Sequence, residues 1–487
     1  MELALRLLTF NAPHSGYNDP PRFGDFQAHR HWMFLTNTLP IHQWYLHNNS
    51  HTYNNISTPQ WVLDYPPVTA YAHFLYGKSL NKQYSNHGNQ DDLLIIKMRF
   101  FILLIDIALI VAIHKLFKSF KATSVVTLFL CHPMFLLIDY IHYQPNNLMF
   151  LFLTLSIICL MKSSQTVNSG TLYPMLGTIS FLFCILSKQM SLVYAPVMGM
   201  AYLSLCLKQP TFSKQISLIF KLGVAVVVAI SICIIPFALP YNNFANGLIV
   251  QSSAILSRVF PIHRGLFEDK LGNFWCISDV IFKWRRHYSE ALLARICTFL
   301  CLFLTVPIGF KVYNKVTLQS VLSGCATSSM VGFLFGYHVH EKTILLPIFC
   351  ILLLSISMRN TNRNNKYVLK KYLDICSFNI FPLVVLDGAV FEFIALHLIW
   401  WALHNNTSSA SFRGNRIAYK TLIDVVYHPV IYGLLALLQG YPLIVVDKYP
   451  FLFNLFIYAW CLLGNLGCLL VLIQMVFNEE DDKVKVT

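Results

Sequence analysis

Apolar segments of roughly helical length recur along this chain from residue 93 to near its C-terminal end, and short polar stretches separate them. Most approach the roughly 17 to 25 residues that a helix needs to cross a bilayer. They do not alternate polar and apolar residues, as barrel strands would. The pattern therefore predicts an all-α polytopic membrane protein with about 13 transmembrane helices. The expected positions are residues 93–113, 122–138, 146–161, 171–187, 191–207, 216–239, 291–311, 318–337, 343–358, 372–386, 389–403, 422–440 and 451–476.

Charge placement predicts which ends of these helices lie on the same side of the membrane. Clusters of Lys and Arg follow the first, fifth, seventh and ninth predicted helices, and the positive-inside rule places such clusters in the cytosol. The tail 477–487 is then cytosolic as well. The opposite side receives two long polar loops, 11–92 and 240–290, and two short turns, 139–146 and 336–342. We expect the functional residues to gather on that opposite face.

The composition agrees with a membrane protein. Apolar residues make up 56% of the chain, charged residues 12%, and the mean hydropathy is +0.55, whereas a soluble protein carries about 25% charged residues. The net charge of +14 lies in short clusters between apolar segments, which argues against a nucleic-acid partner. We therefore expect residues 1–487 to form a single membrane domain.

Two further features predict the compartment. Asn48 and Asn55 begin Asn-x-Ser sequons in the long first loop, which predicts a glycosylated loop that faces the secretory lumen. Lys483 and Lys485 lie close to the C-terminal end and resemble a dilysine retrieval signal. We expect a multi-pass protein of the endoplasmic reticulum membrane with a cytosolic C-terminus.

Asp25 is the first candidate for chemistry. It lies in the loop 11–92, which must return to the membrane surface, and an ionised carboxylate there can act as a general base. The alternative is that Asp25 caps an amphipathic helix that begins at Phe26. Asp64 precedes Tyr65 and two prolines that fix a rigid corner, so it is either catalytic or a residue that shapes the turn.

Cationic side chains also gather on the predicted lumenal face. Ionisable groups at a membrane boundary are functional candidates, and several together can hold the phosphate of a lipid-linked substrate. Each can instead be a snorkelling or capping cation. A metal site at the two histidines around Val339 is the remaining alternative, although neighbouring ligands point apart. The candidates are His29, Arg30, His31, His142, Lys188, Arg264, Lys270, His338, His340 and Lys342.

Seven short stretches combine charged, aromatic and proline residues in a distinctive way. They are Pro20-Pro21-x-Phe23-Gly24-Asp25-Phe26-x-Ala28-x-Arg30-His31-Trp32, Leu39-Pro40-x-x-Gln43-Trp44-Tyr45, Leu63-Asp64-Tyr65-Pro66-Pro67-x-Thr69-Ala70, Asp139-x-x-His142-Tyr143-Gln144-x-Asn146, Lys188-Gln189-Met190, Arg264-Gly265-Leu266-Phe267-Glu268-Asp269-Lys270 and Val339-His340-Glu341-Lys342-x-Ile344-Leu345. Together they resemble the dolichyl-phosphate-glucose-dependent α-1,3-glucosyltransferases of the endoplasmic reticulum. The resemblance runs from about residue 11 to 358, and beyond it only the hydrophobicity matches.

The resemblance implies a GT-C fold with short amphipathic helices in the lumenal loops. It implies that glucose passes from dolichyl phosphate glucose to Man9GlcNAc2-PP-dolichol in α-1,3 linkage with inversion, with Asp25 as base and with no metal or other cofactor. A single displacement needs one carboxylate, and cations such as Lys188, His340 and Lys342 can stabilise the leaving phosphate. The expected substrate-binding residues are Arg30, His31, Asp64, Tyr65, His142, Gln144, Lys188, Arg264, Glu268, Asp269, Lys270, His338, His340, Glu341 and Lys342.

Two departures from the resembled family affect the first loop. The resemblance implies a whole transmembrane helix before this loop, where the chain has only Met1 to about Phe10. We therefore expect an incomplete N-terminal helix and a poorly anchored loop. Residues 47–60 are longer than the resemblance implies and carry both sequons, which predicts a glycosylated surface excursion.

Two other functions compete with this interpretation. The nearest is the enzyme that adds the second glucose, to Glc1Man9GlcNAc2-PP-dolichol; Lys188-Gln189-Met190 and the stretch 265–270 resemble the first-glucose branch instead. The other is a polytopic transporter or lipid flippase. That class is expected to bury ionisable residues in the middle of its helices and to show repeated halves, neither of which is clear in this sequence.

Overall fold

A computed structural model describes residues 2–17, 24–46, 61–80, 92–117, 131–165, 170–260, 265–267, 270–358, 363–406 and 452–478, to which the structural statements below refer. Within these ranges the chain consists of helices and the turns that join them. Their one pairing of extended backbone is a parallel bridge between Phe267 and Val339. The predicted all-α class is confirmed.

The first half of the chain contains eight helices of at least seven residues within the described ranges. They are α1 (Glu2–Leu8), α2 (Asp25–Thr38), α3 (Pro67–Ser79), α4 (Asp92–Phe117), α5 (Asn147–Gln165), α6 (Leu172–Ser187), α7 (Ala195–Leu207) and α8 (Phe212–Ala238). A short helical turn Pro133–Phe135 runs into a π-helical segment Leu136–Ile141 before α5. A 3₁₀ segment, Gln189–Tyr194, leads into α7.

The second half continues the bundle. Its helices are α9 (Phe244–Val259), α10 (Phe274–Phe282), α11 (Trp284–His287), α12 (Glu290–Asn314), α13 (Leu318–Phe335), α14 (Leu345–Ser357), α15 (Arg363–Ile375), α16 (Phe381–Leu386), α17 (Val390–Asn406) and α18 (Leu452–Phe477). The 3₁₀ turn Glu341–Ile344 opens α14, and another, Cys376–Ile380, joins α15 to α16.

Six helical segments of the described chain are long and apolar enough to cross a membrane. They are Asn147–Ser164, Gln189–Leu207, Phe212–Ala238, Glu290–Asn314, Leu318–Phe335 and Asn454–Phe477. The predicted helix at 372–386 is wrong as a single span, because the chain forms two helices there with a 3₁₀ turn between them. The prediction at 422–440 lies outside the described residues, as do residues 122–130 of another. The count of about 13 stays a prediction.

Helices α13 and α14 form the centre of the bundle. Every residue from Ser320 to Leu334 of α13 is buried, as is every residue from Leu345 to Leu354 of α14. In contrast, α8 and α12 expose large apolar side chains, including Phe220 on α8. An apolar outer surface of this kind is what lipid contact requires.

The N-terminal segment is held by two buried arginines. Arg6 on α1 pairs with Asp106 on α4 at 2.7 Å between Nε and Oδ2. Arg99, also on α4, donates to the backbone oxygens of Phe10, Ala12, Pro13 and Tyr140 at 2.7 to 2.8 Å. The expectation that the first loop is poorly anchored is therefore wrong, because these bonds fix its beginning to the bundle.

The two long polar loops pack together in a second apolar cluster. Trp32 of α2, Leu63, Phe237 of α8 and Ile255 of α9 belong to it. The buried residues of α9 recur every fourth position, at Gly247, Gln251, Ile255 and Val259. This spacing is that of one face of an amphipathic helix, so the amphipathic loop helix that was expected is present.

Candidate active site

Asp25 is the first residue of α2, and a close turn fixes its position. Gly24 forms the N-cap and has no side chain with which to cap the helix. A Cβ atom on Gly24 would lie 2.4 Å from Cβ of Ser15. The Ser15 hydroxyl accepts from the backbone N–H of Phe26 at 2.9 Å and donates to the backbone oxygen of His142 at 2.7 Å. The alternative that Asp25 is itself the N-cap is wrong.

The two oxygens of the Asp25 carboxylate differ in their surroundings. Oδ2 accepts from Gln144 Nε2 at 2.7 Å and from Lys342 Nζ at 2.5 Å, and it lies 3.2 Å from His142 Nε2. Among the described residues Oδ1 has no hydrogen-bond partner, and 30% of the side chain is exposed. One oxygen is therefore anchored, and the other can be reached by a ligand.

A strained turn brings His142 and Gln144 to Asp25. Tyr143, between them, has a φ of 63°, which is costly for a bulky residue and is typical of functional sites. The turn follows the π-helical segment, in which hydrogen bonds join residues five apart. One of them runs from His142 N–H to Leu137 O at 2.8 Å. The Tyr143 ring is buried edge-on against Phe26 and His29, so packing offsets the strain.

Lys342 reaches the site from the connection between α13 and α14. His338 has a φ of 54° and donates its backbone N–H to Leu266 O at 2.8 Å. The bridge between Phe267 and Val339 continues this pairing. The second long loop thus supports the segment that delivers Lys342.

Lys188 forms a second cationic position beside the first. Its Nζ donates to Asn146 Oδ1 at 2.6 Å and lies 5.1 Å from the centre of the Tyr65 ring. The Asn146 amide in turn donates to Asp139 Oδ1 at 2.8 Å. The Lys188 side chain is buried and points toward the same end of the bundle as Lys342.

Mutual proximity changes the pKa of each of these groups. Burial would raise the pKa of Asp25, but the charges of Lys342 and His142 outweigh it and hold the pKa well below 3.8. Burial would lower the pKa of His142, but Asp387 and Asp25 raise it to about 9 despite Lys342. Burial and then the charge of Lys342 lower the pKa of Lys188 below 10.5. A carboxylate therefore faces an imidazolium near pH 7.

Two histidines of the predicted cation group are neutral. Burial, with the nearby charge of Lys342, lowers the pKa of His340 to about 3. Burial and the neighbouring His73 also lower the pKa of His29. The His29 Nδ1 atom lies 2.7 Å from His73 Nε2, and His73 Nδ1 lies 2.7 Å from Thr69 O. These rings can exchange hydrogen bonds near pH 7, but they do not carry the positive charge that was predicted.

Asp387 is a site residue that the sequence reasoning missed. It follows α16, and its Oδ2 lies 2.7 Å from His142 Nδ1. Both side chains are buried. The signal that could have revealed it is an acidic residue followed by glycine inside the apolar stretch 378–394, because ionisable groups at membrane depth are rarely without a role.

The remaining predicted residues lie at varied distances from this centre. Asp64 and Tyr65 lie beside Lys188. The Tyr65 ring faces its ammonium, and the charge of Asp64 partly offsets the lowering of the Lys188 pKa. Arg30 and Glu341 are buried, whereas His31 and Lys270 are half-buried, and no described contact brings Lys270 to Asp25. The residues outside the described ranges are Arg264, Glu268, Asp269, Asn48 and Asn55.

The donor set around Asp25 consists of Lys, Gln and His side chains. The atoms that Lys342 and Gln144 turn toward Asp25 are the ammonium Nζ and the amide nitrogen Nε2, and these nitrogens donate hydrogen bonds and offer no lone pair to a cation. In the part of the chain that the structure describes, no three His, Cys, Asp or Glu side chains are arranged to hold a metal ion. The absence of a metal requirement stays a prediction.

Known proteins share this sequence over most of its length. Residues 2–472 match the ALG6, ALG8 glycosyltransferase family. A Dictyostelium discoideum protein named "Probable dolichyl pyrophosphate Man9GlcNAc2 alpha-1,3-glucosyltransferase" is 31% identical over 85% of this chain and 78% of its own length. An Arabidopsis thaliana protein of the same name is 28% identical over 94% and 85%.

A third relative carries the same name without the word "probable". It is the Saccharomyces cerevisiae "Dolichyl pyrophosphate Man9GlcNAc2 alpha-1,3-glucosyltransferase", 30% identical over 81% of this chain and 71% of its own length. The family match covers nearly the whole chain, including α18 down to residue 472. The membrane-helical architecture agrees with the GT-C type expected from the resemblance. This chain belongs to the ALG6, ALG8 glycosyltransferase family.

Proposed function

We propose that this protein transfers glucose from dolichyl phosphate glucose to Man9GlcNAc2-PP-dolichol in α-1,3 linkage. The relatives are named for this acceptor, and the donor is inferred from the sequence resemblance. The observation that carries the proposal is the asymmetric Asp25 carboxylate, with Oδ2 held by its neighbours and Oδ1 open. It lies among cations that suit a phosphate leaving group.

The reaction is a single displacement at the anomeric carbon of glucose. The acceptor hydroxyl oxygen forms a bond to C1 as the bond from C1 to the phosphate oxygen breaks, and that electron pair leaves with dolichyl phosphate. The hydroxyl proton passes to Oδ1 of Asp25. Attack from the opposite side inverts the configuration, so a β-linked donor gives the α product. Positioned proton removal of this kind contributes about 10² to 10⁴ in rate.

Lys342 can pair with either of the two anions of the reaction, the Asp25 carboxylate or the donor phosphate. In the structure its ammonium lies 2.5 Å from Asp25, which keeps the pKa of that carboxyl low and makes it a weak base. A donor phosphate is a competing anion for the same ammonium. As Lys342 turns toward the phosphate, the carboxylate loses part of its stabilisation and becomes more basic. Donor binding therefore activates the base.

Lys188 supplies a second charge for the phosphate. Its side chain is oriented by Asn146 and by the face of the Tyr65 ring. An ammonium held before substrate arrives needs little rearrangement to stabilise the charge that develops on the leaving group. Tyr65 also offers an aromatic surface at this point.

We place this chemistry on the lumenal face of the endoplasmic reticulum membrane, in one membrane domain with a cytosolic tail. The basic clusters between helices and the two sequons of the first loop support that orientation. The four polar segments assigned to this side meet in space, since Asp25, His142 and Lys342 touch and Leu266 pairs with His338.

Acceptor selectivity tests the proposal. Purified protein in lipid is given dolichyl phosphate glucose and either Man9GlcNAc2-PP-dolichol or Glc1Man9GlcNAc2-PP-dolichol, and the oligosaccharide products are separated by size. We expect one glucose on the Man9 acceptor and no elongation of the Glc1Man9 acceptor. Elongation of Glc1Man9 alone would assign the second-glucose reaction. Transfer to neither acceptor, with donor left intact, would contradict a glucosyltransferase.

A further inference from the structure

His142 lies between two carboxylates from distant parts of the chain. Its Nδ1 is 2.7 Å from Asp387 Oδ2, and its Nε2 is 3.2 Å from Asp25 Oδ2. An ionised carboxylate only accepts hydrogen bonds, so Nδ1 carries a proton toward Asp387. Nε2 lies 3.2 Å from both Asp25 Oδ2 and the Lys342 ammonium, and only a protonated Nε2 can donate to the Asp25 carboxylate. The chain Asp387–His142–Asp25 thus links the end of α16 to the start of α2.

We propose that Asp387 is a positioning residue for the transfer reaction: its carboxylate keeps His142 doubly protonated and turned so that Nε2–H faces the base Asp25. The inference rests on the proposed function. A carboxylate on one ring nitrogen fixes both the protonation and the orientation of the imidazole, and hence what the other nitrogen can do.

The backbone around Asp387 holds its side chain in place. Asp387 N–H bonds to Leu383 O, and Ala389 N–H bonds back to Val384 O, both at 3.0 Å. Gly388, between them, has a φ of 72°, a conformation that favours glycine. This αL turn ends α16 and leaves Asp387 buried against His142. Water therefore does not compete for the hydrogen bond between the two side chains.

The charged groups around His142 come from four segments. Asp387, Lys342 and Asp25 contact the ring directly. His14, on the segment before α2, lies within the influence of Asp387. Of these, Asp387 does most to offset the burial of the ring and raises the pKa of His142 to about 9. Removal of the Asp387 charge is therefore expected to convert His142 to the neutral form at lower pH.

The test compares the pH dependence of glucose transfer in wild type and Asp387→Asn. We expect kcat to fall by about 10- to 100-fold, the range found for carboxylates that orient metal-ligating histidines, with a smaller change in KM for the donor. The alkaline limb of the kcat profile should move to lower pH by at least one unit. Lys188 also loses charge on the alkaline side, but it does not contact Asp387, so a shift caused by this substitution reports on His142.

Two further variants separate positioning from folding. Asp374→Asn removes another buried carboxylate, one that accepts from Trp400 at 3.2 Å and does not touch His142; its pH profile should match wild type. In His142→Gln the added change Asp387→Asn should cost no further activity, because Asp387 acts through the ring. Asp387→Glu should restore part of the alkaline limb.

Several results would overturn the inference. They are a pH profile of Asp387→Asn that superimposes on wild type, a uniform loss at every pH, and losses that add fully in the double variant. Wild-type protein is assayed in parallel at pH 7. If it transfers no glucose to either lipid-linked acceptor, the proposed function fails; if it transfers glucose while Asp387→Asn keeps the wild-type profile, only this inference fails.

Discussion

Asp25 combines an ion pair that stabilises the resting site with an open oxygen that is available for chemistry. The pairing with Lys342 and His142 satisfies a largely buried carboxylate, which is costly to leave unpaired. In the proposed mechanism the same pairing makes the group a poor base until a substrate phosphate attracts the ammonium. At the residue scale the account therefore predicts that the properties of Asp25 depend on Lys342.

Replacement of Lys342 should expose this dependence. In Lys342→Met the burial of Asp25 is no longer offset by the ammonium, so the pKa of Asp25 should rise from its depressed value. Protonation of the base then begins at higher pH, and kcat/KM should fall on the acid side, between about pH 6 and 4, where wild type stays active. A pH series of initial rates measures this.

Lys208→Met is the matched control for that series. Lys208 donates to the backbone oxygens of Tyr313 and Asn314 at 3.2 and 3.1 Å and does not contact Asp25. Its acid limb should coincide with that of wild type. An unchanged acid limb in Lys342→Met would show that Lys342 does not set the basicity of Asp25.

Lys188 should govern how donor affinity depends on pH. Its pKa is lowered by burial and by Lys342, and an anionic donor binds the protonated form. Affinity should thus be full at low pH and decline as pH rises through the lowered pKa, before an ordinary lysine would titrate. Lys188→Arg should remove the decline, because a guanidinium keeps its proton. Donor-dependent shifts in melting temperature between pH 6 and 9 provide the readout; parallel profiles for the two proteins would contradict this role.

How far these residues could be predicted depends on where they lie in the chain. Asp25, His142, Gln144 and Lys342 belong to motifs recognised in sequence, and the structure brings them into contact. The electrostatic state of His340 could not be read from the sequence, because it follows from burial and a neighbouring cation. Asp387 lies outside the seven recognised stretches, in a part of the chain where only hydrophobicity was expected to match although the family match extends across it. Its partner is 245 residues away.

The helices show a corresponding limit at the scale of elements. Hydrophobic periodicity located most helices within a few residues, since apolar length is set by the bilayer. It could not reveal that residues 372–386 break at the 3₁₀ turn Cys376–Ile380. It also could not reveal that α1 is fixed to α4, because a buried pair such as Arg6 and Asp106 depends on tertiary contact.

The pair Arg6 and Asp106 supports a stability prediction. Arg6→Met leaves the Asp106 carboxylate buried without its cation, a change that typically costs about 3 to 5 kcal/mol. We expect a clearly lower melting temperature in detergent. In the wild-type structure the Tyr140 hydroxyl donates to Asp106 Oδ2 at 2.8 Å. Adding Asp106→Asn should recover part of the loss, because the neutral amide oxygen can still accept this hydrogen bond. Additive losses in the double variant would show that the ion pair does not anchor α1.

The molecule as a whole separates a bundle with an apolar outer surface from a polar end that carries the candidate site. The sides of the membrane were predicted from the Lys and Arg clusters, whereas the candidate site residues were predicted from motifs. The two predictions use different residues and place the site at the same end of the bundle. The packing of the two long loops in one cluster could not be predicted in detail, because it depends on side chains from four separate segments.

The orientation can be measured through the first loop. If that loop is lumenal, Asn48 and Asn55 should carry glycans that endoglycosidase H removes, and Asn48→Gln and Asn55→Gln should each remove one glycan from the gel pattern. Ser50→Thr retains a sequon and serves as the control. A chain without glycans on either asparagine, in cells that glycosylate a reporter normally, would contradict a lumenal loop.

Replacement of Asp25 by asparagine tests the central claim most directly. Asparagine keeps the size and most hydrogen bonds of the side chain but cannot take the acceptor proton. With dolichyl phosphate glucose and the Man9 acceptor, Asp25→Asn should lose about 10²- to 10⁴-fold in kcat while donor binding persists, and Asp279→Asn, a buried carboxylate paired with Arg285 at 3.3 Å, should remain active. Transfer by Asp25→Asn at a rate near that of wild type would contradict the assignment of Asp25 as the base.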